Sequence, residues 1–366
     1  MKKVAILGAT GSIGTNTLEV IRHDRDSFDI VLMSAHRNKE RLEELGREFP
    51  RSQLTLGNEL EALADCGADI VVNAIAGSAG LAVSRRSLEL AMNLALANKE
   101  SIVMAAPLLF ASAKRNHCAI IPVDSEHSAL FRLIQADKPE EIMLTASGGP
   151  LWSVPRERLA YITKEDTLQH PTWVMGPKIT VDSATMANKG LEVIEASRLF
   201  GIALDNITVV IHPQSIVHAL IRLSDGSVLA QLAVPDMRLA IQYALYYPQP
   251  AQAAVVPQLE WSHLKLNFEN PDDERFPLLR LAYCAERSGP LYSVAYNAAN
   301  EEAVTAFLAD RIDFLSIATV VESTLAYDFS GAMEWESIYD SDRRAREYAA
   351  VTVNAVQDRR ASLFLH

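Results

Sequence analysis

The chain has 366 residues, a formal net charge of −12, 49% hydrophobic residues and 22% charged residues. This composition is typical of a soluble globular protein of two or three domains, and the negative charge argues against nucleic acid or an anionic membrane as a partner. Three cysteines, Cys66, Cys118 and Cys284, form no CxxC pair, which argues against a disulfide framework or a thiolate zinc site and fits a reducing cytoplasm.

The first third of the chain alternates short apolar runs with helical periodicity. MKKVAILG at the start predicts a strand and not a targeting segment. Strands separated by helices indicate βαβ units, so we expect an α/β fold whose residues 1–124 form a Rossmann-like domain with a doubly wound parallel sheet. The predicted strands are KVAIL (3–7), DIVLMSA (29–35), DIVVNAI (69–75), LALA (94–97) and CAIIPV (118–123).

A glycine-rich loop, GATGSIG (8–14), follows the first predicted strand. Gly8, Gly11 and Gly14 would let the backbone approach a pyrophosphate at a helix N-terminus, with Thr10, Ser12 and Ile13 lining the dinucleotide. The spacing is GxxGxxG and not GxGxxG, so a tight turn that binds nothing is the alternative.

The second predicted strand ends in SAHRNKE (34–40). His36, Arg37 and Asn38 stand where NAD-binding folds usually carry a carboxylate for the ribose 2′-hydroxyl. A cationic loop at this point favours a 2′-phosphate, and therefore NADPH, over NADH. The alternative is a basic helix start on the surface.

Polar side chains also follow the fourth and fifth predicted strands. Lys99 could polarise a carbonyl, or it could be a solvated lysine paired with Glu100. In PVDSEHSA (122–129), an extended backbone would place Asp124 and Glu126 on one side and His127 on the other. Two carboxylates suit Mg²⁺ or Mn²⁺, with a third ligand from elsewhere; the alternative is a solvated turn that opens a helix.

The middle of the chain predicts an α/β catalytic domain over residues 125–246, with strands at 141–146, 207–213 and 227–234. Ser147 lies in TASGGP (145–150), which is either an anion-binding loop or a simple glycine turn. Residues 247–275 are expected to be a linker and 276–366 a C-terminal helical domain.

The densest motif is QHPTWVMGPKITVDSATMANKGLEVIEA (169–196). A Gly/Pro-bounded loop around 169–178 predicts a lid, or else a loop pinned by its tryptophan. If residues 183–196 form one helix, Asn188 and Glu192 are neighbours on one face beside Lys189, so Glu192 could be the third carboxylate. Gly190 in a helix interior hints at a close approach, and Glu195 is interpreted as a surface charge.

Two further residues invite a functional interpretation. His218, in HPQSIVHA (212–219), could donate to a phosphate or be a structural histidine, and Met237 follows Pro235 in a turn.

The motifs occur along the chain in this order: GATGSIG, LANKES, PVDSEHSA, TASGGP, the long middle motif, HPQSIVH, PDMR and NAANEEAVTAFL. The 1-deoxy-D-xylulose 5-phosphate reductoisomerase family has these motifs in the same order, and the chain resembles that family over nearly its whole length. The resemblance implies an NADPH- and Mg²⁺- or Mn²⁺-dependent enzyme of the non-mevalonate isoprenoid pathway. It would convert a sugar phosphate, 1-deoxy-D-xylulose 5-phosphate, to 2-C-methyl-D-erythritol 4-phosphate. A homodimer is also implied.

The resemblance also implies roles for individual residues. The metal ligands would be Asp124, Glu126 and Glu192, while Lys99 and Ser125 meet the carbonyl and hydroxyl end of the substrate. The phosphate end would bind Ser147, Ser183, Asn188 and Lys189 with support from His218, and the lid would contribute His170, Trp173 and Met175. The nucleotide would contact Gly8, Thr10, Gly11, Ser12, Ile13, His36, Arg37, Asn38, Asn98, Glu100, Met175 and Met237.

Some positions depart from the family pattern. They are Ala105 and Ala106, Leu151 and Trp152, Ala187, Ala233 and Ala240. None is an expected ligand or phosphate position, so they bear on packing and not on the reaction. Two alternatives stay open: a dehydrogenase without the isomerase step, and a dinucleotide-binding protein that has lost activity.

Overall fold

A computed structural model describes residues 1–363, with side chains described through residue 359. The chain forms two compact units, each assembled from separate segments. The first unit contains Met1–Ile102, Ala106–Glu140 and Ile216–Leu264, and the second contains Val103–Ala105, Glu141–Ser215 and the described chain from Lys265 onward.

The N-terminal part of the first unit is a regular alternation of strands and helices. Its elements are β1 (Lys2–Leu7), α1 (Ser12–His23), β2 (Phe28–Ala35), α2 (Lys39–Glu48), β3 (Gln53–Leu56), α3 (Glu59–Cys66), β4 (Ile70–Asn73), α4 (Gly80–Glu89), β5 (Asn93–Leu96), α5 (Lys99–Arg115), β6 (Ile120–Pro122) and α6 (Ser125–Ala136). The strands pair in parallel in the order β3-β2-β1-β4-β5-β6. The strand order reverses between β1 and β4, which is where such sheets bind ligands at their carboxyl ends. The predicted doubly wound parallel sheet is confirmed.

One strand of this sheet was absent from the sequence prediction. β3 is short, none of its residues QLTL is buried, and it forms the edge of the sheet beside β2. The central strand β4 is buried at every residue, which produces the apolar run that identifies a parallel strand. An edge strand has no such run, because one side of it faces solvent.

The rest of the chain is mainly helical. Its elements are β7 (Glu141–Ala146), α7 (Lys164–Thr167), α8 (Pro177–Ala184), α9 (Ala187–Phe200), β8 (Ile207–Ile211), β9 (Val217–Arg222), β10 (Val228–Leu232), α10 (Arg238–Tyr246), α11 (Leu278–Ser288), α12 (Pro290–Leu308), α13 (Phe314–Leu325) and α14 (Trp335–Leu363). None of the helices in the described part of the chain has the combination of length and apolar character needed to cross a bilayer.

The first unit also takes in a later stretch of chain. β9 and β10 form an antiparallel pair, α6 packs on β9, and α10 packs on α1. Ile241, Ala244 and Leu245 of α10 join the core that is formed by the apolar residues of β1, β2 and α1. Burial of this apolar face explains why residues far along the chain belong to the N-terminal unit.

The second unit is built around α12. β7 and β8 are parallel, α9 packs on α11, and α12 contacts α11, α13 and α14. Buried residues occur around the whole circumference of α12, including Tyr296, Asn297 and Asn300, as expected for the central helix of a group. The expected C-terminal helical region is present, although residues 364–366 of its predicted range lie outside the described residues.

The two units do not follow the predicted domain limits at 124, 246 and 275. Residues 125–140 and 216–246 group with the N-terminal fold, and residues 141–215 group with the C-terminal helices. The difference arises because packing joins segments that are distant in sequence, whereas the sequence limits were drawn at changes of pattern. The assignment of functions to those ranges stays a prediction.

The predicted single helix over 183–196 is two helices. α8 ends at Ala184, α9 begins at Ala187, and Met186 between them adopts a left-handed φ of 64° while it is only 3% exposed. A left-handed methionine is unfavourable by about 1 kcal/mol, so buried packing must hold it there. No glycine marks the break, which is why the sequence pattern does not show it.

The close approach predicted at Gly190 in α9 is confirmed, and the groups that approach it are side chains of neighbouring helices. A Cβ added there would lie 2.7 Å from the Ala282 Cβ and 2.9 Å from the Tyr296 hydroxyl oxygen. These atoms belong to α11 and α12, so the glycine allows α9 to pack tightly on the C-terminal helices.

We predict that Gly190→Ala lowers the free energy of unfolding by about 1–3 kcal/mol, because overpacking outweighs the gain in helix propensity. Gly46→Ala in α2 is the matched control, since its Cβ would meet only the end of the exposed Leu54 side chain, which can move. Urea unfolding of both variants measures the difference. Equal stability of the two variants would contradict the packing role.

Candidate active site

The glycine loop closes the turn between β1 and α1. A Cβ at Gly8 would lie 2.9 Å from the Ala74 carbonyl oxygen, and one at Gly14 would lie 2.3 Å from the Gly8 oxygen. Gly11 is different, because it is exposed and its Cβ would be 3.4 Å from the nearest atom. Gly8 and Gly14 therefore serve the fold, and Gly11 leaves open backbone in front of α1. That helix begins at Ser12 without a side-chain cap, so its first N–H groups can face an anion.

The basic loop after β2 lies next to this turn. Ser34 of β2 accepts the Gly8 N–H at 3.1 Å and joins the two strand ends. His36, Arg37 and Asn38 are exposed. Asn38 also has a structural role, because its side chain accepts the Arg41 N–H at 3.1 Å and caps α2. The exposed guanidinium of Arg37 is the side chain of this loop best suited to a phosphate group.

The residues after β5 form a buried polar network. The Asn98 amide nitrogen lies 2.9 and 2.8 Å from the carbonyl oxygens of Ile75 and Gly77 and 2.9 Å from Glu100, three acceptors that share its two hydrogens. Its oxygen caps α5. Asn98 therefore uses its hydrogen-bonding groups within the protein and holds the loop after β4. Lys99 is 5% exposed, so it is not the solvated lysine of the alternative interpretation.

PVDSEHSA opens helix α6, so the extended geometry expected for Asp124 and Glu126 is wrong. Asp124 is the N-cap, and Ser125, Glu126 and His127 form the first turn. The helix starts here because a carboxylate at this position suits the positive end of the helix dipole. Asp124 forms an ion pair with the Lys99 ammonium. The Ser125 hydroxyl donates to Glu126 at 2.5 Å, and His127 is fully buried.

In the second unit, the SGG turn after β7 lies against α8. Gly148 and Gly149 both have positive φ, and a Cβ at Gly149 would lie 2.5 Å from the Ser183 carbonyl oxygen. This approach brings the turn that carries Ser147 to the end of the helix that carries Ser183. A serine hydroxyl beside a bare glycine backbone can bind an anion. Anion binding by this turn stays a prediction, as does its alternative of a simple glycine turn.

His170 connects that turn to the predicted lid loop. Its Nε2 lies 3.0 Å from the Ser147 hydroxyl oxygen, and its Nδ1 accepts the N–H groups of Thr172 and Trp173 at 3.2 and 2.9 Å. Burial lowers the pKa of His170 to about 4. The loop ends at Gly176, since α8 begins at Pro177, and the side chain of Val174 is exposed.

Helix α9 carries the expected row of polar side chains. The Asn188 side chain donates to one Glu192 oxygen at 2.5 Å, and the Lys189 ammonium pairs with the other. Glu192 is 1% exposed. Its charge is balanced by Lys189 at position i−3, and Asn188 at position i−4 adds a hydrogen bond. The interpretation of Glu195 as a surface charge is wrong, since this residue is also 1% exposed. Periodicity did not reveal its burial because α9 is covered on several faces.

Helix α8 also carries a buried carboxylate, Asp182, that the sequence analysis did not single out. Asp182 is 1% exposed; one of its oxygens accepts from Asn300 of α12 at 2.8 Å, and the other pairs with Lys178 at 2.8 Å. The i, i+4 spacing of Lys178 and Asp182 was a usable signal. Asn300 could not be found in this way, because its contact with Asp182 joins residues far apart in sequence.

The remaining candidates lie in both units. His218 is 5% exposed in β9, at a bulge opposite β10, and bulges redirect side chains near functional sites. Met237 precedes α10 and packs, with Ile13, against the core of the first unit. Trp173 and Met175 are half-buried in the loop of the second unit.

Family models match most of the chain. The model described as 1-deoxy-D-xylulose 5-phosphate reductoisomerase matches residues 4–63 and 52–106. The model of the C-terminal domain of that enzyme matches residues 120–200, and a model described as the DXP reductoisomerase C-terminal domain matches residues 232–348.

Individual proteins are similar over the same span. The 1-deoxy-D-xylulose 5-phosphate reductoisomerase of Treponema pallidum is 47% identical over 96% of this chain and 98% of its own length. A crystal structure of DOX-P reductoisomerase in complex with NADPH, fosmidomycin and magnesium superposes with a TM-score of 0.90 at 35% identity, covering 97% of this chain and 98% of that one. The reductoisomerase from Zymomonas mobilis in complex with NADPH gives 0.87 at 36% identity, over 96% and 99%.

Proposed function

The chain belongs to the 1-deoxy-D-xylulose 5-phosphate reductoisomerase family, and on that premise we propose that it converts 1-deoxy-D-xylulose 5-phosphate to 2-C-methyl-D-erythritol 4-phosphate. The proposed reaction is an intramolecular rearrangement followed by hydride reduction, in non-mevalonate isoprenoid precursor biosynthesis. The observation that supports it most strongly is the 47% identity with the reductoisomerase of Treponema pallidum over 96% of the chain.

The glycine loop fits a dinucleotide. Gly11 and the uncapped start of α1 would hold the pyrophosphate, with Thr10, Ser12 and Ile13 beside it. His36, Arg37 and Asn38 would surround the 2′-phosphate, so the nucleotide is NADPH, which supplies the hydride when bound. The further nucleotide contacts proposed for this chain are Asn98, Glu100, Met175 and Met237.

Asp124, Glu126 and Glu192 fit a divalent cation, because all three offer hard oxygen ligands. Asn188 and Lys189 hold the Glu192 carboxylate in one orientation, and Lys99 does the same for Asp124. We propose these three carboxylates as the ligands of one Mg²⁺ or Mn²⁺. When bound, such an ion supplies Lewis-acid and template chemistry for the adjacent oxygens of a ketose.

The second unit would hold the substrate by its phosphate. Ser147 and Ser183 offer hydroxyls, the SGG turn offers backbone N–H groups, and Asn188 and Lys189 lie in the first turn of α9. A phosphate held away from the reacting carbons supplies binding energy for orientation. His218 would support this end, while Ser125 and Lys99 would meet the hydroxyl and carbonyl oxygens of the substrate.

The loop of residues 169–178 would act as the lid, with Trp173 and Met175 excluding water from the reacting sugar. Its contact with Ser147 through His170 supports this role, because it joins the loop to the phosphate end of the site. Homodimeric assembly and a cytoplasmic location are based on the family alone and stay predictions.

A dehydrogenase of the semialdehyde type is disfavoured. Such enzymes need a nucleophilic thiolate, but burial raises the pKa of Cys66 and of Cys118. Cys284 lies in α11, on the exposed side of that helix, and none of the three cysteines falls in a motif assigned above. The third possibility, an inactive dinucleotide-binding protein, would be expected to have lost Asp124, Glu126 or Glu192, and all three are present.

We predict that Glu192→Gln lowers metal-dependent oxidation of NADPH with 1-deoxy-D-xylulose 5-phosphate by about a hundredfold or more, because a neutral amide is a poor ligand for a hard cation. NADPH binding, measured by fluorescence titration, should be unchanged, and Mn²⁺ affinity, measured by electron paramagnetic resonance, should fall. Glu347→Gln on the exposed face of α14 is the matched control. Full turnover with unchanged Mn²⁺ affinity would remove Glu192 from the ligand set.

We predict that Arg37→Ala raises the dissociation constant of NADPH by about tenfold to a hundredfold and leaves that of NADH nearly unchanged, because only NADPH carries the 2′-phosphate. Arg41→Ala is the matched control, since Arg41 is also exposed near this loop but pairs with Glu44. Titration of each variant with both nucleotides measures the effect. Equal weakening of NADPH and NADH would refute the assignment.

A further inference from the structure

The chain that leaves the SGG turn makes a second tight turn over residues 151–154, and its carbonyl oxygens converge on one side chain. The Val154 N–H donates to the Leu151 carbonyl oxygen at 3.0 Å. Three carbonyl oxygens lie around the Nη2 atom of Arg275 and share its two hydrogens. They belong to Val154 at 2.6 Å, Trp152 at 2.8 Å and Leu151 at 3.2 Å. Converging carbonyl oxygens concentrate partial negative charge, and the permanently charged guanidinium balances it.

The same arginine lies over a pair of aromatic rings. The guanidinium carbon of Arg275 is 5.6 Å from the centre of the Trp152 ring and 4.9 Å from the centre of the Phe276 ring. The two rings stack, with 6.0 Å between their centres and 27° between their planes, and Phe276 is buried. The cation–π contact and the stacking therefore restrict the Trp152 indole to one position.

The indole of Trp152 covers the first glycine of the SGG turn. A Cβ at Gly148 would lie 2.7 Å from the Trp152 Cγ and 2.8 Å from its Cβ, so the tryptophan occupies the space of a side chain there. Gly148 and Gly149 have φ angles of 84° and 70°. Two adjacent glycines have many accessible conformations, so a contact from outside the turn is needed to keep them in one. Trp152 supplies that contact.

The other edge of the indole is joined to the strands from which the turn departs. The Trp152 Nε1–H donates to the Glu269 carboxylate at 3.3 Å. The Glu269 backbone pairs with Ile211 of β8 through hydrogen bonds of 2.8 and 2.9 Å, and Ile211 pairs in turn with Ala146, the last residue of β7. These contacts form a closed circuit around the SGG turn, and Glu269 belongs to the range 247–275 that was predicted to be a linker.

We propose that Arg275 and Trp152 form a clamp that positions the SGG turn for the substrate phosphate: Arg275 holds the indole, and the indole over Gly148 fixes the direction of the turn's N–H groups. This inference rests on the proposed function. Neither side chain is a proposed substrate contact, so both act through the turn. A turn ordered in advance loses less conformational entropy when it binds a phosphate, and the clamp therefore tightens substrate binding without entering the chemistry. Trp152 departs from the family pattern, so this role belongs to this chain.

Substitutions at both clamp residues separate its parts. Trp152→Phe keeps an aromatic ring that can lie over Gly148 and against Phe276, but it removes the indole N–H. Trp152→Ala removes the ring and uncovers the turn. Arg275→Met keeps a long unbranched side chain and removes the donors from the three carbonyl oxygens. Trp261→Ala is the matched control, because that indole is 70% exposed.

We expect Trp152→Ala to raise KM for 1-deoxy-D-xylulose 5-phosphate about tenfold while kcat changes by less than about threefold, because the clamp acts on binding. In Trp152→Phe and Trp261→Ala, KM should stay within about threefold of the wild-type value. The dissociation constant of NADPH should be unchanged in all three variants, since the glycine loop lies in the first unit. A KM for Trp152→Ala equal to that of Trp152→Phe would refute the inference.

A double-mutant cycle tests whether Arg275 acts through Trp152. Arg275→Met alone should raise KM about tenfold, and adding Trp152→Ala to it should raise KM by less than about twofold more. Full multiplication of the two single effects would mean that Arg275 affects the substrate by a separate route, and the clamp would be refuted.

Hydrogen exchange measures the order of the turn without turnover. Peptides that cover residues 145–152 should exchange at least about fivefold faster in Trp152→Ala than in the wild-type protein, and at nearly the wild-type rate in Trp152→Phe. Peptides from α14 report the stability of the second unit as a whole. Unchanged exchange in Trp152→Ala, or an equal increase in α14, would contradict a local clamp.

Binding of inorganic phosphate separates a failure of this inference from a failure of the proposed function. In calorimetric titration, the dissociation constant of phosphate should be about tenfold higher for Trp152→Ala than for Trp152→Phe. That difference, without turnover of 1-deoxy-D-xylulose 5-phosphate by the wild-type protein, would refute the proposed function and leave the clamp standing. Turnover without that difference would refute the clamp, and the absence of both would refute both.

Discussion

The candidate site of the second unit depends on one buried charge. Glu192 is nearly inaccessible to solvent, and a carboxylate in that position is stable only when cations and donors are already beside it. Asn188 and Lys189 meet this need from the same helix. Both lie in the first turn of α9, which begins at Ala187. The break at Met186 provides that start, and Gly190 lets the helix press against α11 and α12.

In the first unit, a carboxylate is paired with a cation because two parallel strands are neighbours. β5 and β6 are neighbours, so the residues after them meet at one edge of the sheet, and Lys99 pairs there with Asp124. Asn98 holds the loop after β4 at the same edge. Charged side chains are thus oriented within each unit. In the second unit helix α9 orients them, and in the first unit the carboxyl ends of neighbouring strands do so. Groups oriented in advance cost little reorganisation when charge develops in a reaction.

Features of the fold that leave a local pattern in the sequence could be predicted, and features that leave none could not. Buried strands such as β4 were predicted because burial on both faces leaves an apolar run, and β3 was not because an edge strand leaves none. The helical opening of α6 at Asp124 was misread as extended, since a short polar stretch after a strand fits both conformations. Glu195 was misread because a helix packed on several sides loses the periodicity that distinguishes buried from exposed positions.

The spacing of Asn188 and Glu192 along the chain was sufficient to predict their contact, because any α-helix brings positions i and i+4 together. The order of the motifs along the chain was likewise sufficient to identify the family. The partners of His170 on both sides of its ring, the contact of Asn300 with Asp182, and the grouping of α10 with the N-terminal sheet required the folded chain. Each of these joins residues across turns or long stretches of sequence, and no local pattern records which distant groups packing will bring into contact.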